Sequence, residues 1–248
     1  MLQNFESLVL IWLGIGFITF ITLLKIPAPY GKFSKTNWGP MIPSKLGWIV
    51  MEIISPLALL YFFLNGNIEK TPTNITFISL WTLHYFNRSV IYPLRHNNPA
   101  QMPLIIAVLA FLFNVMNGYI NGTYFGSIQE YSAEYMSNWN FIVGVCLFII
   151  GAYINIKSDN ILLSLRSKSG EYKIPEGFLF RYVSFPNYFG EILEWMAFAI
   201  MTWSLAGLSF MIWTMANLVP RAIKGHQWYH NKFESYPKNR KAIFPFII

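Results

Sequence analysis

Charged residues are scarce in this sequence of 248 residues: they make up 12% of it, whereas hydrophobic residues make up 54%. A soluble domain of this length carries about twice that charged fraction, so the composition excludes an ordinary soluble enzyme. Cysteine is almost absent. Because Cys146 is the only one, no disulfide forms within the chain. It lies in the apolar run VGVCLFII, which predicts that it packs in the interior.

The short motifs of common nucleotide-binding and hydrolytic folds are also missing. The sequence contains no GxGxxG, no GxxxxGK[ST] and no GxSxG, so a Rossmann fold, a P-loop or a nucleophile elbow is not indicated. His226 and His230 have the i, i+4 spacing of a helical metal pair, but no third ligand of suitable spacing accompanies them. No metal site is therefore predicted. Any nucleotide must be held by membrane helices and their loops.

Long apolar runs are what the sequence has in abundance. Seven segments are long enough, or nearly so, to cross a bilayer, which takes about 20 residues each. We therefore predict an all-α polytopic membrane protein, with residues 1–248 forming a single integral membrane domain. The segments lie near residues 6–25, 45–65, 74–94, 102–121, 138–157, 187–203 and 205–222.

Basic residues separate to one side of these segments. The first, third and fifth connections and the C-terminal tail hold nearly all the lysines and arginines, whereas the opposite side holds only Lys70. An excess of positive charge marks cytoplasmic loops, so we predict that the N-terminus lies outside and the C-terminus in the cytoplasm. The net charge of +7 therefore indicates membrane topology, and no nucleic-acid partner.

Polar side chains interrupt two of the apolar segments. Glu52 lies within the second segment, where a buried charge costs roughly 2.5–3.5 kcal/mol. Such carboxylates usually face a cavity, although a glutamate paired near the interface or at the edge of the segment also fits. In the third segment Tyr85, Arg88 and Tyr92 follow i, i+3, i+7 spacing and form a stripe. The stripe fits either a phenol deep in a pocket with a guanidinium nearer the cytoplasm, or an aromatic belt with a snorkelling arginine.

A polar stretch, residues 153–195, lies between two apolar runs. Asn155 and Asp159 are four residues apart, as are Asn187 and Glu191, so each pair shares one face of a helix. Basic residues and helix-breaking glycines and prolines lie between the pairs. We interpret the stretch as a cytoplasmic loop flanked by two helix ends that together grip a large anionic cofactor.

Other polar positions leave two interpretations open. The first connection carries Tyr-Gly-Lys from Tyr30 onwards, which fits either a phosphate contact or a basic juxtamembrane loop. Asn114 and Asn117 fit helix–helix hydrogen bonds as well as ligand contacts. The tail fits either donors to an anion or an interfacial helix on anionic lipid; its donors are Arg221, His226 and Tyr229.

Four ordered motifs resemble those of the membrane steroid 5α-reductases. They are HYFNRSVIYPLR, INIKSDNILLSLR, the segment from Tyr172 through NYFGEILEW, and ESYPKNRKAIFPFII. The resemblance covers nearly the whole chain and is weakest in the first segment and in residues 64–75 and 122–138. It implies a seven-helix membrane enzyme that uses NADPH to reduce the Δ4 double bond of 3-oxo-steroids.

The resemblance also implies roles for matching residues. Glu52 in WIVME and Tyr85 in HYFNR match catalytic positions that bond the 3-oxo group of the substrate. Positions around the steroid and the nicotinamide are Trp48, Trp195 and Trp213. Positions that contact the cofactor, most of them within residues 138–248, are Tyr30, Arg88, Asn155, Asp159, Arg166, Tyr172, Asn187, Glu191, Arg221, His226 and Tyr229.

Several alternatives stay open on the sequence alone. A related reductase could act on another lipid enone, an enoyl thioester or a polyprenol derivative. A membrane methyltransferase of similar architecture would bind S-adenosylmethionine in place of NADPH, and a lipid-binding scaffold would need no Glu52–Tyr85 pair. The expected partners are a steroid-like substrate and membrane lipid, with no obligate protein partner evident. The expected membrane is the plasma membrane of a bacterium or the endoplasmic reticulum of a eukaryote.

Overall fold

The structure, a computed structural model, describes residues 2–95, 100–165 and 172–248. Most of these residues are helical, and seven of the described helices are long enough to match the seven apolar segments of the sequence, one to one. A three-residue helix, α4, continues the third of them. The helices are α1 (Leu2–Lys25), α2 (Ser44–Leu64), α3 (Pro72–Phe86), α4 (Tyr92–Leu94), α5 (Leu104–Thr123), α6 (Trp139–Leu165), α7 (Pro186–Thr202) and α8 (Leu205–Lys232).

Among the described residues, four stretches of helix are long and apolar enough to cross a membrane by length and composition alone. They are α1, α2, α6, and α5 together with the turn that follows it to Ile128. Helices α3 and α7 have only 15 and 17 residues, and α8 ends in a basic turn. The prediction of a polytopic membrane protein is confirmed. The count of seven spans and the orientation stay predictions.

A small sheet is the element that the all-α prediction misses. Strand β1 (Met41–Pro43) pairs antiparallel with β2 (Gln101–Pro103), and each strand leads directly into a helix, α2 or α5. The backbone N–H of Ser44 extends the pairing by donating to the carbonyl of Ala100 at 2.9 Å. Strands of three residues are too short to show the alternation that reveals a strand in a sequence. The chain is mostly helical, not all-α.

The chain divides into two compact units. The first comprises the chain up to Val9 and Ala28–Ile142, and the second comprises Leu10–Pro27 and Val143–Ile248. This division does not test the prediction of one domain over residues 1–248, which stays a prediction.

In the first unit, α2 and α5 approach each other closely through glycines. A Cβ atom on Gly118 would lie 2.6 Å from the Cβ of Ala58, and one on Gly122 would lie 2.6 Å from the carbonyl oxygen of Leu59. Small residues at such an interface let two helix backbones come together. Helix α5 is therefore held against α2, the helix that carries Glu52.

The third predicted segment is interrupted by a π-helical turn. The turn, Asn87–Ile91, joins α3 to α4. The hydroxyl of Ser89 donates to the carbonyl of Tyr85 at 2.6 Å, so a side chain satisfies a carbonyl at the point where the helix widens. Such turns are rare and occur frequently at functional sites. Tyr85 lies immediately before this one.

In the second unit, α6 and α7 cross through another pair of glycines. A Cβ atom on Gly190 would lie 2.5 Å from the backbone nitrogen of Asn155 and 2.7 Å from the carbonyl oxygen of Gly151. Both partners are backbone atoms, so the crossing leaves no room for a larger side chain. The contact brings the polar end of α6 against the first turns of α7.

The C-terminal tail folds back onto the start of α7. The backbone N–H of Ser184 donates to the carbonyl of Lys241 at 2.8 Å, and that of Phe185 donates to Ala242 at 3.1 Å. Below these bonds lies a buried cluster that includes Tyr229, Tyr236 and Ile243. The tail is therefore a packed part of the second unit.

The prediction that Cys146 packs in the interior is wrong. Its side chain is exposed on α6, on the same face as Ile142, Ile149 and Ile150. In a membrane protein an outward helix face is apolar because it meets lipid. Apolar neighbours in the sequence therefore do not distinguish the interior from the lipid-facing surface.

Candidate active site

Tyr85 is a buried phenol on a rigid support. It lies at the end of α3 and is 5% exposed. Its ring stacks on that of Trp81, one turn earlier, with centroids 5.8 Å apart. The indole Nε1 of Trp81 donates to the hydroxyl of Ser55 at 3.1 Å, which ties the support to α2. Stacking and this hydrogen bond together fix the direction of the Tyr85 ring.

The hydroxyl of Tyr85 points to an amide on a third helix. It donates to Oδ1 of Asn114 at 3.2 Å, and Nδ2 of Asn114 donates to the carbonyl of Met51 at 2.6 Å. Met51 directly precedes the half-buried Glu52 on α2. For Asn114 the structure shows helix–helix hydrogen bonds, one of the two interpretations that the sequence left open.

Arg88 belongs to a cation–aromatic cluster in the first unit. Its guanidinium carbon lies 5.1 Å from the ring of Trp48 and 5.4 Å from that of Tyr92, distances typical of a cation–π interaction. Nε1 of Trp48 donates to the carbonyl of Arg88 at 3.1 Å, and the Tyr30 ring is 6.3 Å from Trp48. Arg88 is only 7% exposed, so it does not snorkel to the surface.

The two polar pairs of residues 153–195 meet in the second unit. Nδ2 of Asn155 donates to the carbonyl of Asn187 at 3.0 Å and lies 3.4 Å from Oε2 of Glu191. Nδ2 of Asn187 donates to Oδ1 of Asp159 at 3.0 Å. The helix-face spacing therefore identified four residues that the α6–α7 crossing brings together. We call these four residues the polar cluster.

The polar cluster fits the sugar and amide groups of a dinucleotide. Oδ1 of Asn187 and the hydroxyl of Ser158 are buried, with no hydrogen-bond partner among the described residues. Buried polar atoms are normally satisfied, and these two are available to the donors or acceptors of a ligand. Ribose hydroxyls and a carboxamide supply both. The carboxylates of Asp159 and Glu191 accept from such donors, whereas they would repel phosphates.

His226 is neutral because of its surroundings. Tyr236 donates to the hydroxyl of Ser184 at 2.7 Å, and that hydroxyl lies 2.6 Å from Nδ1 of His226. Since Ser184 accepts from Tyr236, its own hydrogen points to Nδ1, which assigns the proton of the imidazole to Nε2. Burial, and then the charges of His230 and Lys241, lower the pKa of His226 to about 4. The ring offers an N–H donor and no positive charge.

The other two predicted tail residues, Arg221 and Tyr229, also lie in the second unit. Nε of Arg221 donates to the hydroxyl of Tyr188 at 3.1 Å. Tyr229 is 5% exposed, and its ring stacks on that of Tyr236 with centroids 5.1 Å apart. Arg221 is half-buried, whereas Tyr229 is part of the buried cluster beneath the tail.

Two predicted tryptophans of the substrate site lie inside the second unit. Trp195 is 1% exposed and meets the Phe210 ring edge to face at 4.5 Å. Nε1 of Trp213 donates to the carbonyl of Trp12 at 3.1 Å, so the part of α1 that belongs to the second unit packs on α8. A role for either in substrate binding stays a prediction.

Two further predicted cofactor contacts fall within residues 153–195 of the sequence. Tyr172 is exposed, and its ring meets that of Trp228 at 4.9 Å. Arg166 lies outside the described residues.

Comparison with known proteins identifies the family. The family model of 3-oxo-5-alpha-steroid 4-dehydrogenase matches residues 100–248. Steroid 5-alpha-reductase DET2 of Gossypium hirsutum is 44% identical over 238 residues, which cover 92% of each chain. 3-Oxo-5-alpha-steroid 4-dehydrogenase 1 of Rattus norvegicus is 38% identical over 238 residues, which cover 94% of this chain and 91% of the relative. This chain belongs to the steroid 5α-reductase family.

Membership confirms the family and the activity that the four sequence motifs predicted. The chain is an oxidoreductase of the class 3-oxo-5-alpha-steroid 4-dehydrogenase, and the methyltransferase and scaffold alternatives fall away. Steroid 5α-reductases use a nicotinamide cofactor, which the donors and acceptors of the polar cluster suit. The plasma membrane of a bacterium or the endoplasmic reticulum of a eukaryote stays the predicted location.

The structure adds residues to the candidate site that the sequence alone does not assign. Asn114 contacts Tyr85 directly, and Ser184 with Tyr236 sets the tautomer of His226. A signal for Asn114 exists in the sequence, because asparagines recur at positions 114, 117 and 121 of one apolar segment, and all three are buried. Nothing in the spacing of Ser184 indicates its histidine partner, 42 residues away.

Proposed function

We propose that this steroid 5α-reductase uses NADPH, and that Tyr85 and Glu52 polarise the 3-oxo group of its substrate. The enzyme reduces the Δ4 double bond of a 3-oxo-steroid, as its family does. One observation carries the proposal: the Tyr85 phenol is buried and fixed in direction, and a single asparagine links it to the backbone beside Glu52.

The chemistry requires a hydrogen-bond donor at the 3-oxo oxygen. NADPH, when bound, supplies a hydride to the β-carbon of the enone. Negative charge then develops on the 3-oxo oxygen, and a donor aimed at that oxygen stabilises the transition state more than the ground state. The Tyr85 hydroxyl is this donor. Glu52 either donates to the same oxygen as a carboxylic acid or orients the phenol.

Burial makes the Tyr85 donor effective. Its 5% exposure keeps water from competing for the oxygen, and a low local dielectric strengthens each hydrogen bond to a developing charge. The stacked Trp81 holds the ring in place, so little reorganisation is needed when the charge appears. The α-carbon takes its proton from solvent or from a group that we do not assign.

The polar cluster holds the cofactor in this proposal. Asp159 and Glu191 accept hydrogen bonds from ribose hydroxyls or the carboxamide, and Asn187 offers a buried acceptor. The phosphates require positive or neutral donors instead, for which Arg221 and the Nε2–H of His226 are proposed. Tyr30, Arg88, Arg166, Tyr172 and Tyr229 stay predicted contacts.

The test is turnover by the purified protein in lipid nanodiscs with NADPH and a panel of 3-oxo-Δ4-steroids. Product gains two hydrogens by mass, and NADPH oxidation follows in step. We expect Tyr85→Phe to lower kcat by about 10²–10³, the usual effect of losing one such donor, with the Kd for NADPH unchanged. Wild-type turnover by Tyr85→Phe would remove Tyr85 from the mechanism.

A variant in the polar cluster tests cofactor binding separately from polarisation of the substrate. Asn187→Ala removes a bond to Asp159 and the buried acceptor, so it weakens NADPH binding and leaves the polarising residues intact. The matched control is Asn217→Ala, because Asn217 donates to a carbonyl of its own helix at 3.0 Å. Equal NADPH affinity in the two variants would contradict the assignment of Asn187.

A further inference from the structure

The Tyr85 hydroxyl already donates its hydrogen within the protein. A phenol has one hydrogen to donate, and here it points to Oδ1 of Asn114 at 3.2 Å. Asn114 is 3% exposed, so no bulk water competes for either atom. Donation to a 3-oxo oxygen therefore requires the hydroxyl to turn away from Asn114.

The same amide is anchored on its other side. Nδ2 of Asn114 donates to the carbonyl of Met51 at 2.6 Å, one residue before Glu52. The anchor is firm because α5 packs on α2 through Gly118, one turn further along. Asn114 thus uses its acceptor on α3 and its donor on α2. One side chain therefore ties the Tyr85 hydroxyl to the backbone beside Glu52.

We propose that Asn114 is the positioning residue of this active site. It holds the Tyr85 hydroxyl until a 3-oxo group arrives, and it sets the position of the phenol relative to the backbone at Glu52. This inference rests on the proposed roles of Tyr85 and Glu52. Asn114 itself touches no reacting atom.

A neutral amide is the appropriate partner for such a hydroxyl. Hydrogen bonds to a charged acceptor are roughly twice as strong as those between neutral groups. As charge develops on the 3-oxo oxygen, the phenol hydrogen therefore gains by leaving the amide for that oxygen. A carboxylate at position 114 would retain the hydrogen and cancel the gain. The chemistry of the residue at this position consequently governs kcat more than substrate affinity.

Asn114→Asp gives the sharpest test, because its two protonation states make opposite predictions. The neutral acid reproduces the amide, with a carbonyl that accepts from Tyr85 and a hydroxyl that donates to Met51. The ionised form loses that donor and holds the phenol hydrogen. We expect the ratio of variant to wild-type kcat to fall about tenfold per pH unit once the introduced carboxyl ionises. A role in packing alone gives a ratio that is flat with pH.

Asn114→Ala provides a second measurement. Loss of the anchor misplaces the phenol, and we expect kcat to fall about tenfold to a hundredfold with KM and the Kd for NADPH little changed. The matched control is Asn121→Ala, since Asn121 is also fully buried on α5 but donates to a carbonyl of its own helix at 3.1 Å. The control retains wild-type kcat.

The double variant Tyr85→Phe, Asn114→Ala tests the positioning role of Asn114 separately from the proposed function of Tyr85. If Asn114 acts through Tyr85, then Asn114→Ala adds no loss in a Tyr85→Phe background. A flat pH ratio for Asn114→Asp, a wild-type kcat for Asn114→Ala, or additive losses in the double variant each overturn the positioning role. Full activity of Tyr85→Phe alone overturns the proposed function instead.

Discussion

His226 shows how burial and neighbouring groups together set the charge of a histidine. Ser184 occupies Nδ1 as a donor, and a protonated ring would place a second hydrogen in that contact. The folded state therefore disfavours the cation, and burial together with His230 and Lys241 lowers the pKa of His226 from 6.5 to about 4. In the unfolded chain nothing opposes protonation near pH 6.5.

The stability of the folded protein should consequently depend on pH. Below pH 6.5 the unfolded state binds a proton that the folded state refuses, so stability is lost as the pH falls from about 6.5 through about 4. We expect the melting temperature in detergent to fall over this range, and His226→Gln to flatten the fall. His230→Gln, which removes only one of the causes of the lowered pKa, should flatten the fall less than His226→Gln does. An equally steep fall in His226→Gln would contradict the account.

Residue types that are rare in apolar segments could be predicted from the sequence as site candidates. Glu52, Tyr85 and the pairs of residues 153–195 stand out because each is polar in an apolar setting or shares a helix face. The sequence leaves the role of Asn114 open, since its partners are 29 and 63 residues away. Its hydrogen bonds depend on three helices packing together, which no local pattern encodes.

At the scale of helices, the α6–α7 crossing positions the polar cluster. We expect Gly190→Ala to weaken NADPH binding, because the new Cβ would lie 2.5 Å from the backbone nitrogen of Asn155 and a backbone atom cannot turn aside. Forcing the helices apart also costs about 1–3 kcal/mol of stability. Binding is measured by titration with NADPH, and stability by the melting temperature.

The control for this variant is Gly14→Ala. Gly14 lies within α1, where an added Cβ has no heavy atom within 4 Å among the residues that the structure describes. Alanine has the higher helix propensity, so this variant binds NADPH normally and is no less stable. Normal binding by Gly190→Ala as well would show that the crossing does not position the cluster.

Helix existence was predictable, whereas helix ends were not. Segment 138–157 was predicted for α6, which extends to Leu165, and segment 205–222 for α8, which extends to Lys232. Hydropathy reports where the apolar environment ends, and a helix continues past that point when its polar residues have partners. Asn155 and Asp159 lie near that limit, which is why the polar cluster forms there.

Across the whole molecule, exposed apolar side chains are the rule on the membrane helices. In the most apolar 18-residue stretch of α1, only 11% of the residues are buried. In the corresponding stretches of α2 and α6, 39% of the residues are buried. Such surfaces suit lipid and would be unfavourable in water. The same property explains why Cys146 was wrongly predicted to be interior, and it makes that cysteine replaceable.

The predicted orientation can be tested across α2, whose 21 residues span about 30 Å, the thickness of a bilayer core. Lys35 and Asn67 are exposed on either side of it. In a Cys146→Ser background, Asn67→Cys should react with an impermeant maleimide on right-side-out vesicles, and Lys35→Cys only after permeabilisation. The reverse labelling pattern would show that the protein has the opposite orientation. Equal labelling of both from outside would mean that α2 does not cross, and the positive-inside argument would fail with it.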